Sequence, residues 1–357
     1  MSEGHDNGLD IATLQRYVDA NDDLHDALGI ERETSLVLRP LAQGEYNVNF
    51  SFDAPAEETG ASRPLLLRVN TGSQLHLSHQ IEYEFSALGA LVPSGRTPRP
   101  LYVDGSRARI PWGVGVEQRL PGRSLCYETD RSIAADILAD IHAVEAPKET
   151  SLIAPEHPVA DIARECASMY ATYRGWSAAD SRVSTRIERL FTCVSDAVDH
   201  DLARPVLPRG MRHIVNTELN SSNFLINDAA RDASSHSYLI DWEKPILGEA
   251  EQDIAHFIVP TTTFWKTDTI LTRTEAYAFV DAYEAAVDGR FDTSGLRSRL
   301  KDYIAVTCLR GITWCSMAMV EYSRPGRAVT NADTFAKIKA YLSPEFLDFV
   351  MRDYCES

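Results

Sequence analysis

HIVNTELNSSNFLI at 213–226, followed by SYLIDWEKPILGEAEQDIAHF at 237–257, is the stretch on which the fold of this chain turns. In the first segment an apolar start gives way to Glu218, then to Asn223 five residues later, then to the apolar FLI. In the second, an apolar run of strand character ends at Asp241, and Glu243 follows two residues on. A Glu–x4–Asn spacing is common by chance. It gains weight here from the strand-ending carboxylate behind it and from Asp253 further on.

Moving outward, the chain before this stretch changes character near Pro121-Gly122. Residues 1–34 read as a polar, helical lead-in. TSLVLRPLAQGEYNVNFSF then gives a strand, a turn at Gly44, and a second strand. In that second strand Tyr46, Val48, Phe50 and Phe52 alternate with Asn47, Asn49 and Ser51, a period of two. PLLLRVN (64–70) is a short buried strand, 76–92 has the three-and-four spacing of a helix, and strands follow near 99–103 and 112–118. After the connector the pattern is mainly helical. A small strand-rich lobe, 35–118, is thus followed by a larger helical lobe, 119–357, which would carry the loop 213–226 and the strand end 237–243.

Composition narrows the function. At 357 residues the chain is long enough for two lobes, and 44% hydrophobic with 24% charged residues is ordinary globular composition. A formal charge of -17 repels nucleic acid and anionic lipid, while leaving room for a cationic small molecule. No uninterrupted apolar run suggests a membrane span, and the polar start MSEGHDNGLD does not resemble a secretion signal. None of the 6 cysteines forms a C-x-x-C pair, so a zinc site is not indicated and a reducing, cytoplasmic setting is expected. There is no G-x-x-x-x-G-K-[ST], and no lysine precedes Lys148. GVGVEQ (113–118) lacks the third glycine of a dinucleotide fingerprint, and neither G-x-S-x-G nor H-E-x-x-H occurs.

What remains fits phosphoryl transfer. That chemistry needs a carboxylate near the attacking hydroxyl, an amide and a carboxylate to hold Mg2+ on the phosphates, and a cation. Carboxylate–x4–Asn followed by a strand ending in Asp supplies the first three in order.

At these residues the chain resembles the aminoglycoside phosphotransferase and choline kinase superfamily, over about 36–320. Its catalytic loop reads H-G-D-x-x-x-x-N; here the same positions read Asn216-Thr217-Glu218 and Asn223. The family's next strand ends in a D-[FW]-E type motif, here IDWE. EAEQDIAHF (249–257), EQRLPGRSL (117–125) and LADIHAVEAP (138–147) resemble its downstream aspartate segment, its hinge and a core helix. The resemblance implies an α+β, bilobal protein kinase-like fold. It also implies transfer of the γ-phosphoryl group of ATP, or GTP, to a hydroxyl of an amino sugar, amino alcohol or sugar. Glu218 would be the catalytic carboxylate, and Asn223, Asp241 and Glu243 would hold Mg2+. Gly44 would lie over the phosphates, and the hinge backbone at Glu117, Gln118 and Arg119 would read adenine. Arg68 would be the phosphate cation, with Glu84, or else Glu82, as its helical partner. Acceptor contacts would come from about 150–205 and 260–357. The Glu at position 218 stands where the family has Asp, so the alternative is a catalytically silent nucleotide-binding module acting through a partner. His142 and His256 read as packing residues in helices, and Trp265, Trp314 and Tyr322 as core aromatics.

Overall fold

The computed structural model describes residues 9–44, 46–55, 61–73, 75–229, 237–324 and 332–355, so residues 1–8 of the expected lead-in lie outside it. The chain has the α+β class read from its sequence, and it divides into two compact units. The first is Met1–Arg123 with Pro147–Leu152 and Leu225–Pro245; the second is Ser124–Ala146, Ile153–Phe224 and Ile246–Ser357. The sequence reading drew one boundary at 118/119 and kept 237–243 with the helical part. In the structure that strand end packs with the first unit.

The first unit is built on a five-stranded antiparallel sheet, β1 (Arg39–Gln43), β2 (Asn47–Pro55), β3 (Ser62–Asn70), β4 (Pro100–Asp104) and β5 (Gly113–Gln118), in the order β1-β2-β3-β5-β4. The period of two places Phe50 and Phe52 in the core with Leu65, Leu67, Val114 and Val116. The lead-in is part of that core. Helices α1 (Ile11–Asp19) and α2 (Asp22–Leu28) start on the side-chain caps Asp10 and Asn21, and bury Leu14, Val18, Leu24 and Leu28 among the strand residues.

Helix α3 (Gln80–Leu91) packs close to the sheet because β5 lacks side chains where it passes. A Cβ at Gly115 would stand 2.1 Å from the Phe85 ring, and one at Gly113 would stand 2.7 Å from Ile81. The glycines of GVGVEQ therefore serve helix–sheet contact. Register puts Arg68 of β3 opposite Gly115 on one side and Asn49 on the other.

The second unit is mainly helical: α4 (Arg131–His142), α5 (Pro158–Arg174), α6 (Ser181–Ala203), α7 (Ala250–Ile258), α8 (Pro260–Lys266), α9 (Arg273–Val287), α10 (Leu296–Tyr322), α11 (Ala332–Tyr341) and α12 (Pro344–Val350). By length and composition α10 could cross a membrane, yet 72% of its apolar window is buried in the protein, where it packs on α5, α6 and α7. A two-stranded pairing, His213–Val215 with Ile246–Gly248, delivers the chain to the loop beginning at Asn216. Trp265 and Trp314, expected in the core, meet edge to face at 5.3 Å but are only half-buried, at its margin.

Candidate active site

In the second unit the loop 216–223 is held by its own backbone amides. The N–H groups of Asn216 and Thr217 donate to the two oxygens of Asp253, each at 2.8 Å. Asp253 is fully buried in the first turn of α7, and His142 Nε2 lies 3.2 Å from it while His142 Nδ1 meets Tyr283 Oη at 2.8 Å. A buried carboxylate needs such hydrogen-bonding partners. Leu219 N–H donates to His256 Nδ1 at 3.1 Å. The two histidines that read as packing residues thus brace the loop. Their signal was available in the sequence only as polar groups on otherwise apolar helix faces.

Within the loop Asn216 Oδ1 accepts the Glu218 N–H at 3.0 Å, the short Asx turn that asparagine favours. Thr217 between them has φ +71°. Asn223 donates Nδ2 to the Glu218 carbonyl at 2.8 Å, so its Oδ1 is the atom left for a cation. Arg310 of α10, paired to Glu165 at 3.1 Å, works against its own burial because Glu165 and Glu218 both favour its charge. Arg310 is a charged neighbour of Glu218 that the sequence reading missed, since nothing in the pattern of α10 singles it out.

In the first unit Arg68, 8% exposed, meets three carboxylates. Its Nε donates to Glu84 at 2.8 Å, and its Nη2 to Asp241 at 2.9 Å and Glu243 at 2.8 Å. Glu84, not Glu82, is the helical partner; Glu82 lies 3.5 Å from His79. Trp242 anchors the turn, with its Nε1 donating to the Leu239 carbonyl at 3.0 Å, and Asp241 has φ +64°, a conformation aspartate tolerates better than most residues. Gln80 of α3 donates to Glu84 at 2.9 Å and to the Glu243 carbonyl at 2.7 Å, and Asn47 of β2 donates to the Glu243 carboxylate at 2.5 Å. These two amides were legible only as polar positions in β2 and at the start of α3.

One guanidinium thus faces three carboxylates. Burial first, and then the neighbouring Glu243 and Asp241, push Glu84 up to about 7 against the opposing pull of Arg68. Glu117 of β5, also deep in this unit, is pushed up to about 7 by burial and by Asp241, again against Arg68. The same carboxylates overcome burial at Arg68 and hold it firmly protonated. Among the described residues no group of three or more His, Cys, Asp or Glu side chains is arranged to hold a metal. Mg2+, however, is commonly held by one or two carboxylates together with substrate phosphates. Asp241 and Glu243, hard oxygen donors side by side at the end of a strand, fit that mode.

Gly44 follows β1; its N–H donates to the Asn47 carbonyl at 2.8 Å, and a Cβ there would make only an ordinary contact at 3.6 Å. At the hinge the N–H of Gln118 donates to the Arg99 carbonyl at 2.9 Å and that of Arg119 to the Pro64 carbonyl at 3.2 Å. Those two donors are engaged in the sheet and its margin.

The model of the phosphotransferase enzyme family matches residues 37–297. Among solved structures, a candidate aminoglycoside phosphotransferase of Ralstonia eutropha JMP134 aligns with a TM-score of 0.61 and 14% identity, covering 95% of this chain and 98% of that one. Choline kinase from Cryptosporidium parvum Iowa II aligns at 0.60 and 11% identity, covering 96% and 97%. A spectinomycin phosphotransferase solved with ADP and spectinomycin aligns at 0.54 and 14%, covering 90% and 94%. These likenesses show a shared kinase-like fold. A comparison with curated proteins gives no match.

Proposed function

Because the chain belongs to the phosphotransferase enzyme family, we propose that it is an ATP-dependent small-molecule kinase that phosphorylates a hydroxyl group. The observation that carries this reading is the Arg68 cluster, a buried cation shared by Glu84, Asp241 and Glu243 and still outnumbered by them. A merely structural ion pair needs one partner; a surplus of carboxylates at a strand end suits a divalent cation and phosphates.

In this reading Asp241 and Glu243 hold Mg2+, which when bound neutralises charge on the transferring phosphates. Asn223, on the loop of the second unit, is the further proposed metal ligand, through Oδ1. Arg68 uses Nε and Nη2 on carboxylates, leaving Nη1 to steady phosphate oxygens. Glu218 takes the proton of the acceptor hydroxyl as that oxygen bonds to the γ-phosphorus. The bond from γ-phosphorus to the bridging oxygen breaks, and ADP leaves. Asp253, by gripping two consecutive amides, keeps the loop from drifting, and a drift near 1 Å can cost on the order of a hundredfold in rate. Glutamate reaches one methylene further than the family's aspartate, and the Asx turn at Asn216 fixes where that longer arm begins. Nothing in the geometry favours a silent module, since carboxylate, amide and cation are all retained.

The acceptor is proposed to be an amino sugar, amino alcohol or sugar, with the acidic chain favouring a cationic one. The test is Mg·ATP turnover against panels of these acceptors and of nucleosides. Wild type should phosphorylate at least one, and Glu218→Gln should lower kcat on it by roughly 10²–10⁴-fold, the usual contribution of general-base assistance, with nucleotide affinity little changed. Full turnover by Glu218→Gln would remove Glu218 from the mechanism.

A further inference from the structure

The second unit contains a cavity of about 430 Å³ between the start of α9, the first half of α10 and the C-terminal turn Met351–Cys355. Its apolar wall is made by Ile258, Leu271, Ile304 and Phe349. The turn is tied over it by Tyr354, whose hydroxyl donates to the Leu271 carbonyl at 2.7 Å. None of the residues assigned above to catalysis, metal or nucleotide lines it.

Its polar wall is cationic. Among the described residues, Arg273, Lys301 and Arg352 line it against one acid, Asp353. Asp353 is paired with Arg352 at 2.7 Å. Among the described residues Arg273 has only the face of Tyr277, at 5.7 Å, and Lys301 has no carboxylate partner. All three cations are exposed side chains at the solvent side of the cavity, where an anion can reach them together. That concentration is notable in a chain of formal charge -17, where carboxylates to pair with are abundant. The volume falls in the range of small-molecule sites, about 300–1,000 Å³, and the combination of apolar walls with a few convergent polar groups is typical of them.

We propose that this cavity binds a phosphate monoester with an aromatic or alkyl body. Two cations in excess of acids match a dianion better than a carboxylate, and arginine forks pair with phosphate oxygens. Tyr277, Phe349 and the aliphatic wall receive the organic part. The site is separate from the proposed kinase chemistry and stands without it.

Phenyl phosphate is the probe, titrated calorimetrically into the full chain without nucleotide or Mg2+. The expected result is a single saturable site, no detectable heat from phenol at the same concentrations, and weaker binding of benzoate. The double variant Arg273→Ala/Lys301→Ala should bind at least tenfold more weakly. Cys355 lines the cavity, so saturating phenyl phosphate should also slow its alkylation, read by mass spectrometry, while the half-buried Cys193 on α6 is unaffected. This second readout needs only the wild-type chain and holds if the double variant does not fold. Absence of saturable binding, equal affinity in a folded double variant, an unprotected Cys355, or benzoate binding as tightly as phenyl phosphate would each overturn the proposal.

Discussion

Thr217 is the residue whose backbone stands furthest from its own preference. A φ of +71° is unusual for any side chain and an outlier for a β-branched one. It persists because Asp253 grips the amides of Asn216 and Thr217 that lead into it, while Asn216 Oδ1 holds the Glu218 amide that follows. Such strain costs about 1–3 kcal/mol and concentrates at functional loops. Glycine at this position, the residue the resembling family carries, removes the strain but adds unfolded-state entropy worth about 0.5–1 kcal/mol. The first effect is larger, so Thr217→Gly should stabilise the chain by about 1 kcal/mol. The check is the urea midpoint at unchanged slope; a lowered midpoint would show that threonine's side-chain contacts outweigh the backbone strain. Asp241 at φ +64° needs no such argument, because aspartate enters this region readily. The resemblance had already matched Thr217 to a glycine, so the position was legible in the sequence while its strain was not.

At the level of elements, the approach of α3 to the sheet decides whether Glu84 can reach Arg68. Gly115 sits opposite Arg68 in the β3–β5 pairing, and its missing side chain is filled by the Phe85 ring. A methyl group at 2.1 Å from that ring forces α3 outward or the ring off its rotamer. Gly115→Ala should therefore destabilise by about 1–3 kcal/mol, the usual range for overpacking. Gly44→Ala, whose new methyl meets only an ordinary contact at 3.6 Å, is the near-neutral comparison. Paired urea titrations distinguish them; equal, small effects would mean that α3 is not held by this contact. The elements themselves were readable in advance: β2 by its alternation, β3 by its apolar run, α3 by its spacing. The glycines of β5 were not, because a glycine in a strand pattern can mark a bulge, a bend or a close approach, and only the packed helix shows which.

Across the whole molecule, local periodicity carried the α+β division and the order of the motifs, but not the partition into units. Leu225–Pro245 joins the first unit because Gln80 and Tyr83 of α3 bond the carbonyls of Glu243 and Pro245, long-range contacts with no sequence period. Likewise the lead-in helices looked polar, yet their few apolar residues complete the core of the sheet. The engaged amides at Gln118 and Arg119 follow from strand pairing and the chain leaving β5, which a motif match does not specify. The cluster around Arg68 was foreseen as separate roles for Arg68, Glu84, Asp241 and Glu243; that a single guanidinium binds all three acids is a property of the folded unit. On the proposed reading, Asp241 is there for metal-bound nucleotide and not for the ion pair alone. A calorimetric titration of Mg·ATP into wild type and Asp241→Asn, with melting curves in parallel, addresses this most directly. Affinity at least tenfold weaker in a variant that still folds is the result expected; unchanged Mg·ATP affinity in a folded Asp241→Asn would contradict it.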